Sequence, residues 1–333
     1  MNRTDYRLTL LFKCIALFVL QACNVAPTMA EKPATEQTEP ASKQQQDVSG
    51  KDWIELQQNK VDRDYLLYTP ESYSPDQPAA LVVVLHGGHG NAERVAKQTG
   101  FLPIADRNGF LLAFPQAQDE NWNDGRQVTA SKFDDVSYIT SVVDDVVARR
   151  AIDINRVYVT GISNGGMMTQ RLACDAADRF AAFASVVANL PASRESTCRP
   201  SQPVKIMMIN GNADPLMPYR GGEIKKGRRK GKGGTVLSTR ETAEFWAAAS
   251  RCDSSTEKSE LPDKDPRDGT RISKTQFTNC ADSTAVVLYT IDGGGHAWPG
   301  SPVKQRFLIT RLTGTMSQDI SASEVIWNFF AER

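Results

Sequence analysis

From residue 51 onward the chain alternates two apolar patterns. Short runs rich in Val, Ile, Leu and Phe occur at Ala80 to Leu85, Phe110 to Phe114, Arg156 to Thr160, Phe183 to Val187, Val204 to Asn210 and Ala285 to Ile291. Runs of this length and composition read as strands covered on both faces. Between them, apolar residues recur at spacings of three and four. Asp134 to Arg150 carries Val136, Ile139, Val142, Val143, Val146 and Val147, the stripe of an amphipathic helix. Ala92 to Gly100, Leu102 to Arg107, Ser163 to Ala177, Thr239 to Ala249 and Ser321 to Phe330 also read as helices. Ahead of them, Trp53, Tyr65, Leu67 and Tyr68 mark an opening antiparallel ribbon. Alternation of strand and helix predicts an α/β fold, a mostly parallel sheet with helices on both faces, over residues 51–333 as one domain.

The first 50 residues break this pattern. Arg3 and Arg7 precede an apolar stretch, Leu8 to Leu20, interrupted by Thr9 and Lys13. A basic segment and a short apolar core make a secretory signal peptide. A membrane-spanning helix needs roughly 20 apolar residues, more than this broken run supplies. The sequence Leu20-Gln21-Ala22-Cys23 resembles the lipobox of bacterial lipoproteins. That resemblance implies a signal over residues 1–22, cleavage before Cys23, and acyl chains on its thiol that bind a membrane. Asn24 resembles an outer-membrane sorting choice; an ordinary cleavage near Ala30, giving a periplasmic or secreted protein, is the alternative. Residues 23–50, dominated by Pro, Thr, Glu, Gln, Ser and Lys, read as a flexible tether because they bury too little to offset chain entropy.

Charge narrows the partners. The 39 Lys and Arg balance 39 Asp and Glu, so the chain lacks the basic excess of a nucleic-acid binder. Export makes disulfides the expected state of Cys174, Cys198, Cys252 and Cys280. No C-x-x-C occurs among them, which argues against zinc. Pairing Cys174 with Cys198 and Cys252 with Cys280 closes the shortest loops, with two other connectivities open. The oligomeric state has no signature.

The chemistry centres on Gly161-Ile162-Ser163-Asn164-Gly165, a G-x-S-x-G between a strand and a helix. That setting is what a nucleophile elbow requires, with glycines where strand and helix meet. A Ser in this place can also be a simple helix N-cap. A serine nucleophile needs a base, and there are only three histidines. His86 and His89 lie in His86-Gly87-Gly88-His89-Gly90-Asn91, a setting suited to backbone donation, whereas His296 follows a strand and three glycines. Asp214, after the strand VKIMMIN, is the expected acid; Asp292 competes but is only four residues from His296. The order Ser163, Asp214, His296 is that of α/β-hydrolases. The backbone N–H of Asn164 and one from the glycine loop, at Gly88, are the expected oxyanion donors. This chemistry needs no metal and no cofactor.

The segments VVVLHGG, FPQAQDENWNDG, IDINRVYVTGISNGGMM, NGNADPLMPYRGG, TRETAEFWAAASRC and GGGHAWPG occur in that order. Together they resemble the polyhydroxybutyrate-depolymerase-type esterases, relatives of the feruloyl and acetylxylan esterases of carbohydrate esterase family one. The likeness covers residues 60–332. It implies an α/β-hydrolase fold with Ser163, Asp214 and His296 as nucleophile, acid and base. It also implies Trp122 and Trp298 as aromatic residues that stack on substrate or pack in the core, and Asp135 as a loop-ordering residue. With the last helix ending near Arg333, no added polymer-binding domain is expected, so soluble esters or short oligomers suit better than crystalline polymer. The basic run Lys225 to Lys232 reads as a solvated loop or an attractor of acidic polysaccharide, lipopolysaccharide or an anionic substrate, and Glu260 to Arg271 as a polar loop. The expectation is an exported serine esterase acting on hydroxyalkanoate oligomers or on feruloyl or acetyl esters of polysaccharides. A prolyl-oligopeptidase-like peptidase and a non-catalytic surface lipoprotein are the alternatives.

Overall fold

The structure, a computed structural model, describes residues 50–58, 60–225 and 233–332. The expected signal segment, Cys23, nearly all of the tether and most of the basic run lie outside the described residues.

The chain opens with β1 (Gly50–Gln58), β2 (Val61–Thr69) and β3 (Ala79–Leu85), then α1 (Ala92–Thr99), α2 (Leu102–Asn108) and β4 (Leu111–Pro115). Next come α3 (Asp135–Arg149), β5 (Ile152–Ile162), α4 (Asn164–Asp175), β6 (Ala182–Val186) and β7 (Ile206–Gly211). A two-residue ribbon, β8 (Gly222–Glu223) with β9 (Thr235–Val236), leads to α5 (Thr239–Ala249). The chain continues through β10 (Thr256–Glu260), β11 (Arg271–Phe277) and β12 (Val286–Asp292), and closes with α6 (Phe307–Thr313) and α7 (Ala322–Ala331).

Ten strands form one sheet in the order β1-β2-β4-β3-β5-β6-β7-β12-β11-β10. The six from β4 to β12 are mutually parallel; β1, β2, β11 and β10 pair antiparallel at the two edges. Strand β3 shows why its run is continuously apolar. Leu81, Val83 and Leu85 join the core shared with α3, α4 and α5, while Ala80, Val82 and Val84 join the opposite core shared with α1, α2 and α7. Alternate side chains leave a strand on opposite faces, so a strand covered on both must be apolar throughout. Parallel strands also bring their carboxyl ends to one edge of the sheet, and the loops carrying Ser163, Asp214 and His296 all leave there.

Strands β10 and β11 correct the sequence reading, which sees only a polar loop nearby. Every residue of Thr256–Glu260 is exposed, so no apolar alternation marks it. Its Glu257, Lys258 and Glu260 suit an edge strand that must not recruit another chain. Helix α6 is likewise absent from the sequence reading. Disulfides join Cys174 to Cys198 and Cys252 to Cys280, the sequence-adjacent pairing. The first ties the last turn of α4 to the segment after β6.

Candidate active site

Ser163 sits where β5 turns into α4, with φ 58° and ψ −118°, a backbone conformation rarely adopted by residues other than glycine. The flanking glycines make that turn possible. A Cβ on Gly161 would stand 2.4 Å from the Gly165 carbonyl oxygen, and one on Gly165 would stand 2.4 Å from that of His86. The Ser163 side chain makes no capping bond to its helix. It faces His296 instead, with Oγ 2.9 Å from Nε2.

His296 Nδ1 lies 2.7 Å from Asp214 Oδ2. With that carboxylate as acceptor, Nδ1 carries the proton and Nε2 is free to accept from Ser163. The other Asp214 oxygen accepts the Leu216 and Met217 backbone N–H groups, each at 2.8 Å. The Asp214 side chain is 2% exposed, so its charge acts on the imidazole with little water between them. Both loops depend on close backbone approach. A Cβ on Gly211 would fall 2.2 Å from the Gly294 carbonyl oxygen, which accepts the Ala213 N–H at 3.0 Å. Asp292 is exposed and accepts from Asn212 Nδ2 at 2.6 Å. It therefore anchors the neighbouring loop, and Asp214 alone of the two touches His296.

Asn164 begins α4 with its side chain fully engaged. Oδ1 accepts the Trp122 N–H at 2.7 Å, and Nδ2 donates to the Trp122 carbonyl at 3.0 Å and to Asp124 Oδ2 at 2.6 Å. Gly88 faces it across the cleft floor: a Cβ there would be 3.8 Å from Asn164 Cβ and 2.7 Å from Asn121 Oδ1.

Of the two roles the resemblance implies for Trp122 and Trp298, the structure corrects the substrate-stacking one and shows packing. Both are core residues, 0% and 1% exposed, and neither lines the cleft. A buried indole N–H needs an acceptor. Trp122 Nε1 donates to the His86 carbonyl at 2.8 Å, and Trp298 Nε1 donates to Ser323 Oγ at 3.1 Å. Trp122 thus holds the glycine loop by its backbone, and its ring packs 4.9 Å from that of His86. Asp135 is buried against Arg63 at 2.9 Å and accepts the Asn123 N–H at 2.7 Å, holding the loop between β4 and α3.

Two residues of that loop carry no signal in the sequence reading. Asp124 is fully buried and pairs with Arg126 at 2.6 Å, and Arg126 reaches on to the Gly233 carbonyl. The pair braces Asn164 on one side and the base of the β8–β9 ribbon on the other. In sequence the two read as ordinary loop charges.

His86 is no base. Its Nδ1 donates to the Gly87 carbonyl at 2.8 Å, and its Nε2 accepts the Ala117 N–H at 3.1 Å. Burial pushes its pKa down and keeps the ring neutral. In the unfolded chain the same ring takes up a proton near pH ~6.5. The stabilising effect of holding it neutral is therefore complete above that pH and is lost as pH falls below it. The urea midpoint should drop between pH 7 and pH 5, with a smaller drop in His86→Gln; equal slopes for the two chains would refute this. His89 is exposed beside Glu120, 3.2 Å away.

The cleft over Ser163 and His296 has a volume of about 580 Å³. Val128 from the loop after β4, Met167 from α4, and Leu216, Met217 and Ile224 from the segments before and within the β8–β9 ribbon give it apolar lining. The glycine loop, α1 and the loop after β4 add His89, Arg94, Gln98 and Asn121. Lys225, the described end of the basic run, also lines it.

A family model described as "Esterase PHB depolymerase" matches residues 63–197. The chain is 32% identical over 268 residues to a protein named putative esterase NocK from Nocardia uniformis subsp. tsuyamanensis, covering 77% of this chain and 76% of that protein. It is 26% identical over 244 residues to feruloyl esterase B of Piromyces equi, covering 71% of this chain but 42% of the longer fungal protein. Among solved structures, the acetyl xylan esterase from Aspergillus awamori superposes with a TM-score of 0.54 at 16% identity, over 84% of this chain and 100% of that one. Fold and kinship define a carboxylic ester hydrolase of the α/β-hydrolase type. More narrowly, the chain belongs to the Esterase PHB depolymerase family.

Proposed function

We propose that this esterase works through an acyl-enzyme formed on Ser163. The observation that carries the reading is the unbroken line of hydrogen bonds from Ser163 through His296 to Asp214 at the floor of an open cleft. Ser163 Oγ attacks the ester carbonyl as its proton passes to His296 Nε2. The backbone N–H of Asn164, with one from the glycine loop at Gly88, stabilises the oxyanion. The bond to the alcohol oxygen breaks, and His296 returns the proton to that oxygen. Water then attacks the acyl carbon and gives its proton to His296. The acid leaves, and Ser163 regains its hydrogen. Throughout, Asp214 holds the imidazole in the productive tautomer and stabilises its charged form.

The mixed lining suits an ester that joins an apolar acyl group to a hydroxylated alcohol. Hydroxyalkanoate oligomers and the feruloyl or acetyl esters of polysaccharides are the substrates we favour, in keeping with the family description and the names of the relatives. The two disulfides and the basic-then-apolar N-terminus support export, and Cys23 supports a lipid anchor.

A panel of hydroxybutyrate oligomers, feruloyl sugars, acetylated xylan and aminoacyl anilides, compared by kcat/KM, tests the reading. At least one ester class should exceed the anilides by roughly a hundredfold or more, since an amine departs less readily than an alcohol and needs better-placed protonation. Anilides cleaved as well as every ester would sink it.

A further inference from the structure

Helix α6 turns its apolar side chains outward. Phe307, Leu308 and Leu312 are 75%, 70% and 66% exposed, and Val303 just before the helix is 51% exposed. Helix α7 hides the same residue types, burying Ile326, Trp327, Phe329 and Phe330. Large apolar side chains clustered on one exposed segment mark a contact surface.

Charge points to what covers it. Residues 293–318 contain no Asp or Glu, while Lys304, Arg306 and Arg311 are exposed within or beside the apolar stretch. The Arg311 guanidinium lies 5.9 Å from the centre of the Phe307 ring. Aromatic and aliphatic groups beside cations, without acids, are the composition of helices that lie on anionic bilayers: the apolar groups enter the acyl boundary and the cations meet the headgroups.

Position gives the contact a use. Thr313, the last residue of α6, lines the catalytic cleft, and its carbonyl accepts the His296 N–H at 2.5 Å. Ahead of the helix, Ser301 Oγ donates to the Gln98 carbonyl on α1, whose Arg94 and Gln98 line the same cleft. A surface that receives α6 therefore lies at the cleft mouth.

We propose that residues 303–312 dock the enzyme on an anionic lipid surface, so that the cleft receives esters dissolved in or displayed on it. Docking does not require the lipid anchor at Cys23.

Hydrogen exchange on the full chain tests this, because it reads α6 itself whether or not the N-terminus is also anchored. Vesicles of phosphatidylcholine with phosphatidylglycerol should slow exchange of amides 303–312 at least tenfold. Phosphatidylcholine alone should slow it far less, and 0.5 M NaCl should weaken the effect. The chain carrying Phe307→Asp, Leu308→Asp and Leu312→Asp should lose the protection and still hydrolyse p-nitrophenyl acetate at the parent rate, which shows that it is folded. Equal protection on both vesicle types, protection on neither, or protection kept in the triple variant overturns the proposal. So does protection by polyhydroxybutyrate particles but not by vesicles, which assigns the surface to insoluble polyester. Protection already complete without vesicles assigns it to a second copy or to this chain's own N-terminal residues, and overturns it equally.

Discussion

Ser163→Gly should abolish ester hydrolysis and make the folded protein harder to unfold. The loss follows from the proposed nucleophile: without Oγ no acyl-enzyme forms, and kcat should fall roughly 10⁴- to 10⁶-fold. The gain follows from the backbone. Ser163 holds φ 58° and ψ −118°, a conformation costing a side-chain-bearing residue on the order of 1–3 kcal/mol and costing glycine little. The entropy that glycine loses on folding takes back roughly 0.5–1 kcal/mol, leaving a net gain of about 1 kcal/mol. No helix cap is sacrificed, since the Ser163 side chain makes no capping bond. Ser163→Ala separates the two effects: it should be as inactive, yet no more stable than the parent, because alanine keeps the Cβ that strains the turn. Turnover of p-nitrophenyl acetate and urea unfolding at pH 7 measure both. Retention of more than about a hundredth of kcat in either variant would exclude Ser163 as nucleophile on the scale expected for such a group.

How much of this site the sequence reveals depends on how local each signal is. Ser163, Asp214 and His296 each follow an apolar strand and carry glycine or proline beside them, so strand, turn and side chain are read together. Their meeting depends on strand order: β7 and β12 are neighbours although 80 residues separate Gly211 from Ile291, their last paired positions. The parallel pattern implies a shared sheet edge but not that adjacency. Trp122 shows the opposite case. Its place in FPQAQDENWNDG marks importance without direction, and direction is decided by one buried indole N–H that finds the His86 carbonyl. Asp124 and Arg126 are invisible for a related reason, since a buried ion pair and a solvated one are written with the same letters. Strands β10 and β11 escape because edge strands with charged faces need no apolar period. Helix α6 escapes because its apolar residues serve no core, so the stripe expected of a packed helix is absent.

Asp214→Asn tests the least local part of the assignment. The replacement is nearly isosteric, and its carbonyl oxygen can still accept the Leu216 and Met217 N–H groups that Oδ1 accepts now. The loop should therefore keep its shape. What changes is the group facing His296 Nδ1 at 2.7 Å. An amide NH₂ there donates, so Nδ1 must accept and the ring proton moves to Nε2, the atom we propose takes the Ser163 proton. The variant should lose about 10⁴-fold in kcat with KM little altered, because Asp214 does not line the cleft while the proposed transition state needs an imidazolium stabilised by its charge. Labelling of Ser163 by a fluorophosphonate should slow in parallel, for the same reason. Asp292→Asn is the matched comparison. That carboxylate meets Asn212 in the neighbouring loop rather than the imidazole, and its loss should change kcat no more than about twofold. Were Asp292→Asn the more damaging of the two, or were Asp214→Asn to cost less than about tenfold, the acid would have to be sought elsewhere. A large loss confined to Asp214→Asn would instead tie the rate to the one buried carboxylate that orients His296.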